Sequence, residues 1–198
     1  IHMFIIKNKN FLIIENIKDI DLKNIKIRNK FSIIYRNNNK IDNLSNLLEF
    51  RRKCKLKAIK FYIANNNNLA VFLNSDGIYL SSFNKSLSSL SYKRLNYEII
   101  GSAHDLNQIF LKKRQGCSFI LLSKLFIVNY DKKAPYLGLL KFNNFAKISK
   151  KLIPLGGISI KNLNQLKNVQ CEGFAIMSEV KKSRLKYLAG SFKFKLSV

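Results

Sequence analysis

Acidic side chains are scarce: Asp and Glu number 11 against 36 Lys and Arg, a formal net charge of +25 with histidine neutral. No apolar run approaches the roughly 18 residues needed to cross a bilayer, and the start lacks the long apolar segment of a secretory signal, so a cytoplasmic protein is expected. Cysteine is limited to Cys54, Cys117 and Cys171, an odd number, far apart and never in Cys-x-x-Cys spacing. That argues against a disulfide framework or a zinc site and points to reduced, buried thiols. Ile1-His2-Met3 reads as a cloning remnant before a native Met, which leaves His104 as the histidine to weigh. The rest, residues 4–198, is 47% hydrophobic in a chain of 198, too apolar for a basic disordered tail and suited to one domain.

The surplus charge is mostly lysine, 29 against 7 Arg, beside 24 Asn, a set that AT-rich codons favour. No RNP-like, zinc-finger or helix-turn-helix pattern accompanies it, and lysine is spread along nearly every segment. A solvated basic surface with nonspecific, salt-sensitive polyanion binding is the expectation, and dedicated nucleic-acid binding stays as a second alternative.

Organisation is more informative. Short apolar runs recur at Phe11–Ile14, Ser32–Tyr35, Lys60–Ile63, Gly77–Leu80, Glu98–Gly101, Phe119–Leu122, Leu152–Leu155 and Phe174–Met177. Between several of them apolar residues take helical spacing: Leu44, Leu47, Leu48 and Cys54; Leu106, Ile109 and Phe110; Leu163, Leu166 and Val169. Asp105 and Asn162 stand where helix N-caps are expected. Eight strands alternating with helices imply a parallel sheet closed as a (β/α)8 TIM barrel. Because such barrels typically run to about 250 residues, some connections must be clipped. Residues 16–30 read as a short helix or an irregular cover for the barrel floor.

Two glycine elements suggest an anion site. Pro154-Leu155-Gly156-Gly157 ends a strand with two residues whose backbone can approach a phosphate closely. Gly173-Phe174-Ala175-Ile176-Met177-Ser178 ends the last strand and delivers Ser178 to a helix start. Loops after strands seven and eight form the usual phosphate site of these barrels. Gly157→Val is therefore expected to remove phosphate binding with little loss of fold.

Taken with Asp76-Gly77-Ile78-Tyr79-Leu80, Ser102-Ala103-His104, Gly116, and Asn162 after the double glycine, these motifs stand in the order of the thiamine phosphate synthase and thiazole tautomerase (TenI-like) family, which the chain resembles from about Phe11 to Val180. The resemblance implies a magnesium-dependent coupling of hydroxymethylpyrimidine diphosphate to thiazole phosphate with release of pyrophosphate. It assigns the thiazole phosphate to Gly156, Gly157, Met177 and Ser178, and puts Ser102 near the diphosphate. His104 matches a family histidine and has the chemistry to move a proton near neutrality.

Other positions depart from the family. Its Gln-Leu-Arg-x-Lys is here Ile34-Tyr35-Arg36-Asn37-Asn38, so Arg36 alone is kept. The two expected magnesium carboxylates align with Asn65 and Asn84, and amides add no negative charge, so magnesium affinity should fall. After the sixth strand the family's threonines are missing, Lys132 or Lys133 stands in for a lysine, and the tautomerase histidine becomes Lys124. Arg36, Ser102, His104, Lys124 and Lys132 are the candidate catalytic residues. A barrel that binds a thiazole or thiamine phosphate without coupling is the first alternative.

Overall fold

In the computed structural model, which describes residues 9–25, 28–37, 41–128, 131, 133–177 and 180, eight parallel strands close into a barrel in chain order. They are β1 (Asn10–Ile14), β2 (Phe31–Tyr35), β3 (Lys60–Ala64), β4 (Gly77–Leu80), β5 (Glu98–Ala103), β6 (Phe119–Ser123), β7 (Leu152–Leu155) and β8 (Ala175–Ile176). Closure is made where Phe11 and Leu12 of β1 pair with Ala175 and Ile176 of β8. The fold is the (β/α)8 barrel read from the alternation of short apolar runs.

Each strand is apolar on both sides because each side meets a different core. Phe11, Ile13, Ile34, Tyr62, Tyr79, Ile100, Leu121, Ile153 and Ala175 point inward and fill the barrel. Their neighbours, among them Leu12, Ile33, Phe61, Ile63, Ile78 and Leu122, face the outer layer.

That layer is thinner than in longer barrels. Between β1 and β2 the chain makes two 3-10 turns, Ile17–Asp19 and Leu22–Asn24. Asn16 caps the first by accepting from the Lys18 amide, while the Asp19 carboxylate accepts from the amides of Glu15 and Asn16. Ile20, Leu22 and Ile25 are buried in the outer core, so this stretch is an irregular cover. The helices are α1 (Leu44–Leu56), α2 (Asn67–Phe72), α3 (Ser89–Lys93), α4 (Leu106–Arg114) and α5 (Gly138–Ile148). The seventh connection is a 3-10 helix, Ile160–Asn168.

Three expectations about helices are corrected. On α1, Leu44 and Leu48 are exposed; the buried residues are Leu47, Phe50, Arg51 and Cys54, the i, i+3, i+4, i+7 set. On α4, Phe110 faces solvent while Ile109 and Lys112 are buried. Asp105 does cap α4, accepting from the Gln108 amide at 2.8 Å. Asn162, however, is the third residue of its helix and not its cap: Ser159 precedes the helix, and Asn162 Oδ1 accepts from the Ser159 amide at 2.8 Å.

The foot of the barrel explains the Asp76-Gly77 pair. Asp76 accepts two bonds from the Arg51 guanidinium, 2.8 and 3.1 Å, and one from the Phe61 amide at 2.7 Å. A Cβ on Gly77 would overlap the backbone carbonyl of Glu98. Glu98 in turn accepts from Lys60 Nζ and the Tyr62 hydroxyl, both at 2.7 Å. Lys60, Glu98 and Tyr62 close the end of the barrel opposite the strand carboxyl ends.

Cys54 and Cys117 are buried, Cys171 is half-buried, and none of the three is in a disulfide. Burial pushes the Cys54 and Cys117 thiols from an ordinary 9.0 up to about 12. Both should stay unmodified by a thiol-specific reagent at pH 8 until the chain unfolds, with labelling of the native protein confined to Cys171. The unfolded chain ionises these thiols from about pH 9, the folded chain only near 12, so their contribution to stability is complete below pH 9 and lost as pH rises through 12. Urea midpoints at pH 8 and 10.5 measure that decline, and Cys54→Ala with Cys117→Ala should flatten it.

Candidate active site

At the carboxyl ends of the strands lies a cleft of about 190 Å³ lined by Arg36, Asn65, Tyr79, Ser81, Ser82, Phe83, Ser102, His104, Ser123 and Leu155. Six consecutive strands, β2 to β7, contribute to it, because each of these residues ends a strand or follows one, or, as Tyr79 of β4 and Ser102 of β5, is the last but one of its strand. Among the described residues no carboxylate lines it.

Arg36 is the fixed cation among the described residues that line the cleft. Its amide donates to the Ile14 carbonyl at 2.8 Å, which fixes the backbone at the end of β2. Its Nη2 approaches Met177 Sδ at 3.4 Å, and its Nε is buried without a partner among the described residues. Among the described residues no carboxylate forms an ion pair with it. A buried donor left unmade costs on the order of 1–3 kcal/mol, a cost that an anionic ligand's oxygen would remove. Beneath it, burial raises the Tyr79 hydroxyl's pKa, with Ser102 and Arg36 pulling it back, so the phenol is a neutral hydrogen-bonding group on the cleft floor.

His104 is exposed and stands beside β6. Its Nδ1 lies 3.2 Å from the Ser123 carbonyl and 3.0 Å from the Ser123 hydroxyl. In the tautomer protonated at Nδ1 the ring donates to Ser123 and leaves Nε2 to take a proton. Gln108 holds the His104 amide through its side-chain oxygen at 2.9 Å.

The two asparagines aligned with magnesium carboxylates are already engaged. Asn65 Oδ1 accepts from the Ser81 amide (3.1 Å), the Ser81 hydroxyl (3.1 Å) and Asn84 Nδ2 (3.3 Å). Asn84 Oδ1 accepts from the Ser86 amide at 3.0 Å. An oxygen with N–H and O–H dipoles aimed at it repels a cation, and among the described residues no three His, Cys, Asp or Glu gather to hold one. The residues here do not fit magnesium.

Of the other sequence candidates, Lys124 follows Ser123 but does not line the cleft; its carbonyl accepts from the Leu137 amide at 2.8 Å, and a Cβ on Gly156 would lie 3.1 Å from its Cα. Gly157, at φ +69°, lies against the loop after β6, where a Cβ would come within 2.5 Å of the Phe126 and Ile127 carbonyls. The expectation that Gly157→Val spares the fold is thereby corrected: this glycine is required by packing. Lys132 and Ser178 lie outside the described residues; Lys133 is exposed. Sequence reasoning missed Tyr79, Ser81, Ser82, Phe83 and Ser123. The available signal was position, since Tyr79 stands just before the end of an apolar run and the four others just past one.

The closed parallel barrel with its cleft at the carboxyl ends of the strands defines a (β/α)8-barrel protein. The chain belongs to the thiamine monophosphate synthase (TMP-TENI) family, whose model matches residues 4–180. A thiamine-phosphate synthase from Flavobacterium psychrophilum is 26% identical over 151 residues, 72% of this chain and 73% of the relative. One from Clostridioides difficile is 23% identical over 143 residues, 71% and 68% of the two chains. One from Prochlorococcus marinus strain AS9601 is 27% identical over 187 residues, 91% of this chain but 51% of the relative. The chain thus spans from about half to about three quarters of the length of these relatives. The solved thiamine phosphate pyrophosphorylase from Pyrococcus furiosus superposes with a TM-score of 0.73 at 15% identity, covering 98% of both chains. The 3-keto-L-gulonate-6-phosphate decarboxylase from Vibrio cholerae gives 0.65 at 10% identity, covering 94% of this chain and 96% of that one. These likenesses show the shared barrel. No helix among the described residues is long and apolar enough to cross a membrane.

Proposed function

We propose that the chain acts at this mouth as a thiamine phosphate synthase-type protein, joining hydroxymethylpyrimidine diphosphate to thiazole phosphate and releasing pyrophosphate. The observation that carries the reading is Arg36: a guanidinium with a buried, unpartnered Nε and no carboxylate paired to it among the described residues, in a cleft rimmed by hydroxyls. As the new bond to the pyrimidine's methylene carbon forms, the carbon–oxygen bond to the diphosphate breaks and negative charge gathers on the leaving group. Arg36, with the hydroxyls of Ser82, Ser102 and Ser123 as further donors, is placed to meet that charge. His104 Nε2 is the group available for a proton at the opposite wall.

A second reading, a barrel that binds thiazole or thiamine phosphate without coupling, is favoured by the engaged amides of Asn65 and Asn84 in place of metal carboxylates. Incubating the protein with both reactants, with and without magnesium and beside an active synthase, and quantifying thiamine phosphate by mass spectrometry separates the two. Product above the protein-free control, lost in Arg36→Ala, is the expected result. No product beside an active control, with thiamine phosphate still bound, transfers the assignment to the binding reading.

A further inference from the structure

Behind the rim, the loop after β4 is held by a charge that solvent does not reach. Lys112 of α4 is 0% exposed, and its Nζ donates to the carbonyls of Ser81 and Asn84, both at 2.7 Å, and to Gln115 Oε1 at 2.9 Å. Three acceptors on one nitrogen match the three protons of an ammonium, whereas a neutral amine has only two to give. Burial lowers its pKa, the expected direction for a desolvated cation. Room for the stem comes from β5, since a Cβ on Gly101 would lie 2.8 Å from Lys112 Cδ. Gln115 extends the hold, its Nε2 donating to the carbonyls of Asn84 (3.0 Å) and Ser86 (2.7 Å).

The same short loop is therefore bound from two sides. From behind, an ammonium and an amide gather its carbonyls; from the mouth, Asn65 gathers the Ser81 amide, the Ser81 hydroxyl and Asn84 Nδ2. Converging two backbone carbonyls of one loop and a neighbouring side-chain oxygen on a point is what a hard cation does in a protein. We propose that the Lys112 ammonium takes the structural place of a divalent cation in this loop, and that the rim formed by Asn65, Ser81 and Asn84 takes up no metal. For ligand binding the proposal rests on the phosphate reading of the mouth, and it then requires that an anion be held by direct cation and hydroxyl contacts without magnesium.

The full chain, free of ligand, is titrated with Mn²⁺ while amide signals are followed by NMR. Signals of residue 65 and residues 81–86 should keep their intensity at 1 mM Mn²⁺, on the order of the weakest biological cation sites. Selective broadening there, reversed by Mg²⁺, overturns the proposal. In Lys112→Met, hydrogen exchange at the amides of Ser81, Asn84 and Ser86 should rise by about tenfold or more while the inward strand residues keep their protection. Unchanged exchange in the loop, or an equal rise throughout the barrel, would mean that Lys112 does not organise this segment and overturns the proposal. Should that variant fail to fold, the Mn²⁺ titration of the unaltered chain still decides. Inorganic pyrophosphate titrated in EDTA tests the other reading separately: absence of binding there, with the Mn²⁺ result as expected, removes the phosphate reading and leaves the loop assignment standing.

Discussion

Replacing Arg51 with methionine lowers the free energy of unfolding by about 3 kcal/mol, the lower end of what breaking a buried ion pair costs because Asp76 retains some solvent contact. Arg51 is 6% exposed and makes four bonds: two to the Asp76 carboxylate and two, at 3.1 and 2.8 Å, to the Asn74 carbonyl. Methionine keeps most of the stem's volume and removes every donor. Asp76 is left with the Phe61 amide alone, and Asn74, held at φ +45°, loses the partners of its carbonyl. The damage concentrates at the junction of α1, β3 and β4. Urea denaturation of Arg51→Met and Arg51→Lys measures it; lysine restores the charge without the planar fork, so an intermediate loss is expected. A loss under about 1 kcal/mol for methionine would place this pair with surface ion pairs and withdraw its structural role.

Arg51 also shows where reading the sequence stops. The barrel was legible because each strand needs two apolar faces and so appears as a short unbroken apolar run, eight times. The helix faces were less so, because two inward positions carry a cation: Arg51 on α1 and Lys112 on α4. Apolar periodicity assigns such residues to solvent, and their acceptors lie far along the chain, at Asn74 and Asp76 for one and Ser81 and Asn84 for the other. Asn65 and Asn84 have the same character. Their alignment with metal carboxylates was visible, but the donors on the Asn65 oxygen reach it only after β3 and β4 pair and bring the two loops side by side, whereas Asn84 Oδ1 is taken locally by the Ser86 amide. Arg36, His104 and Ser102 were legible as a set because each stands at or just past the end of a strand, where the barrel closes on its cleft.

Arg36→Ala should raise the Kd for pyrophosphate by roughly 150-fold, about 3 kcal/mol, the worth of one to two hydrogen bonds to a charged group. The guanidinium supplies the cleft's fixed positive charge, and its Nε is a buried donor that nothing in the described protein satisfies. Alanine removes that cost in the free protein as well as the contact in the complex, so the measured loss is a difference between the two. The barrel should stay intact, since the backbone bond from residue 36 to the Ile14 carbonyl does not involve the side chain. Arg36→Lys should recover only part of the affinity, because a point charge cannot span two ligand oxygens. The loss is expected to be larger for pyrophosphate than for thiazole phosphate, which the family pattern assigns to the backbone of the loops after β7 and β8, although Arg36 Nη2 lies 3.4 Å from Met177 Sδ at the second of them. Calorimetric titration of both ligands against both variants, at 150 mM salt to suppress binding by the general surplus of +25, checks the assignment. An equal loss for the two ligands would move Arg36 from a diphosphate contact to a general support of the mouth.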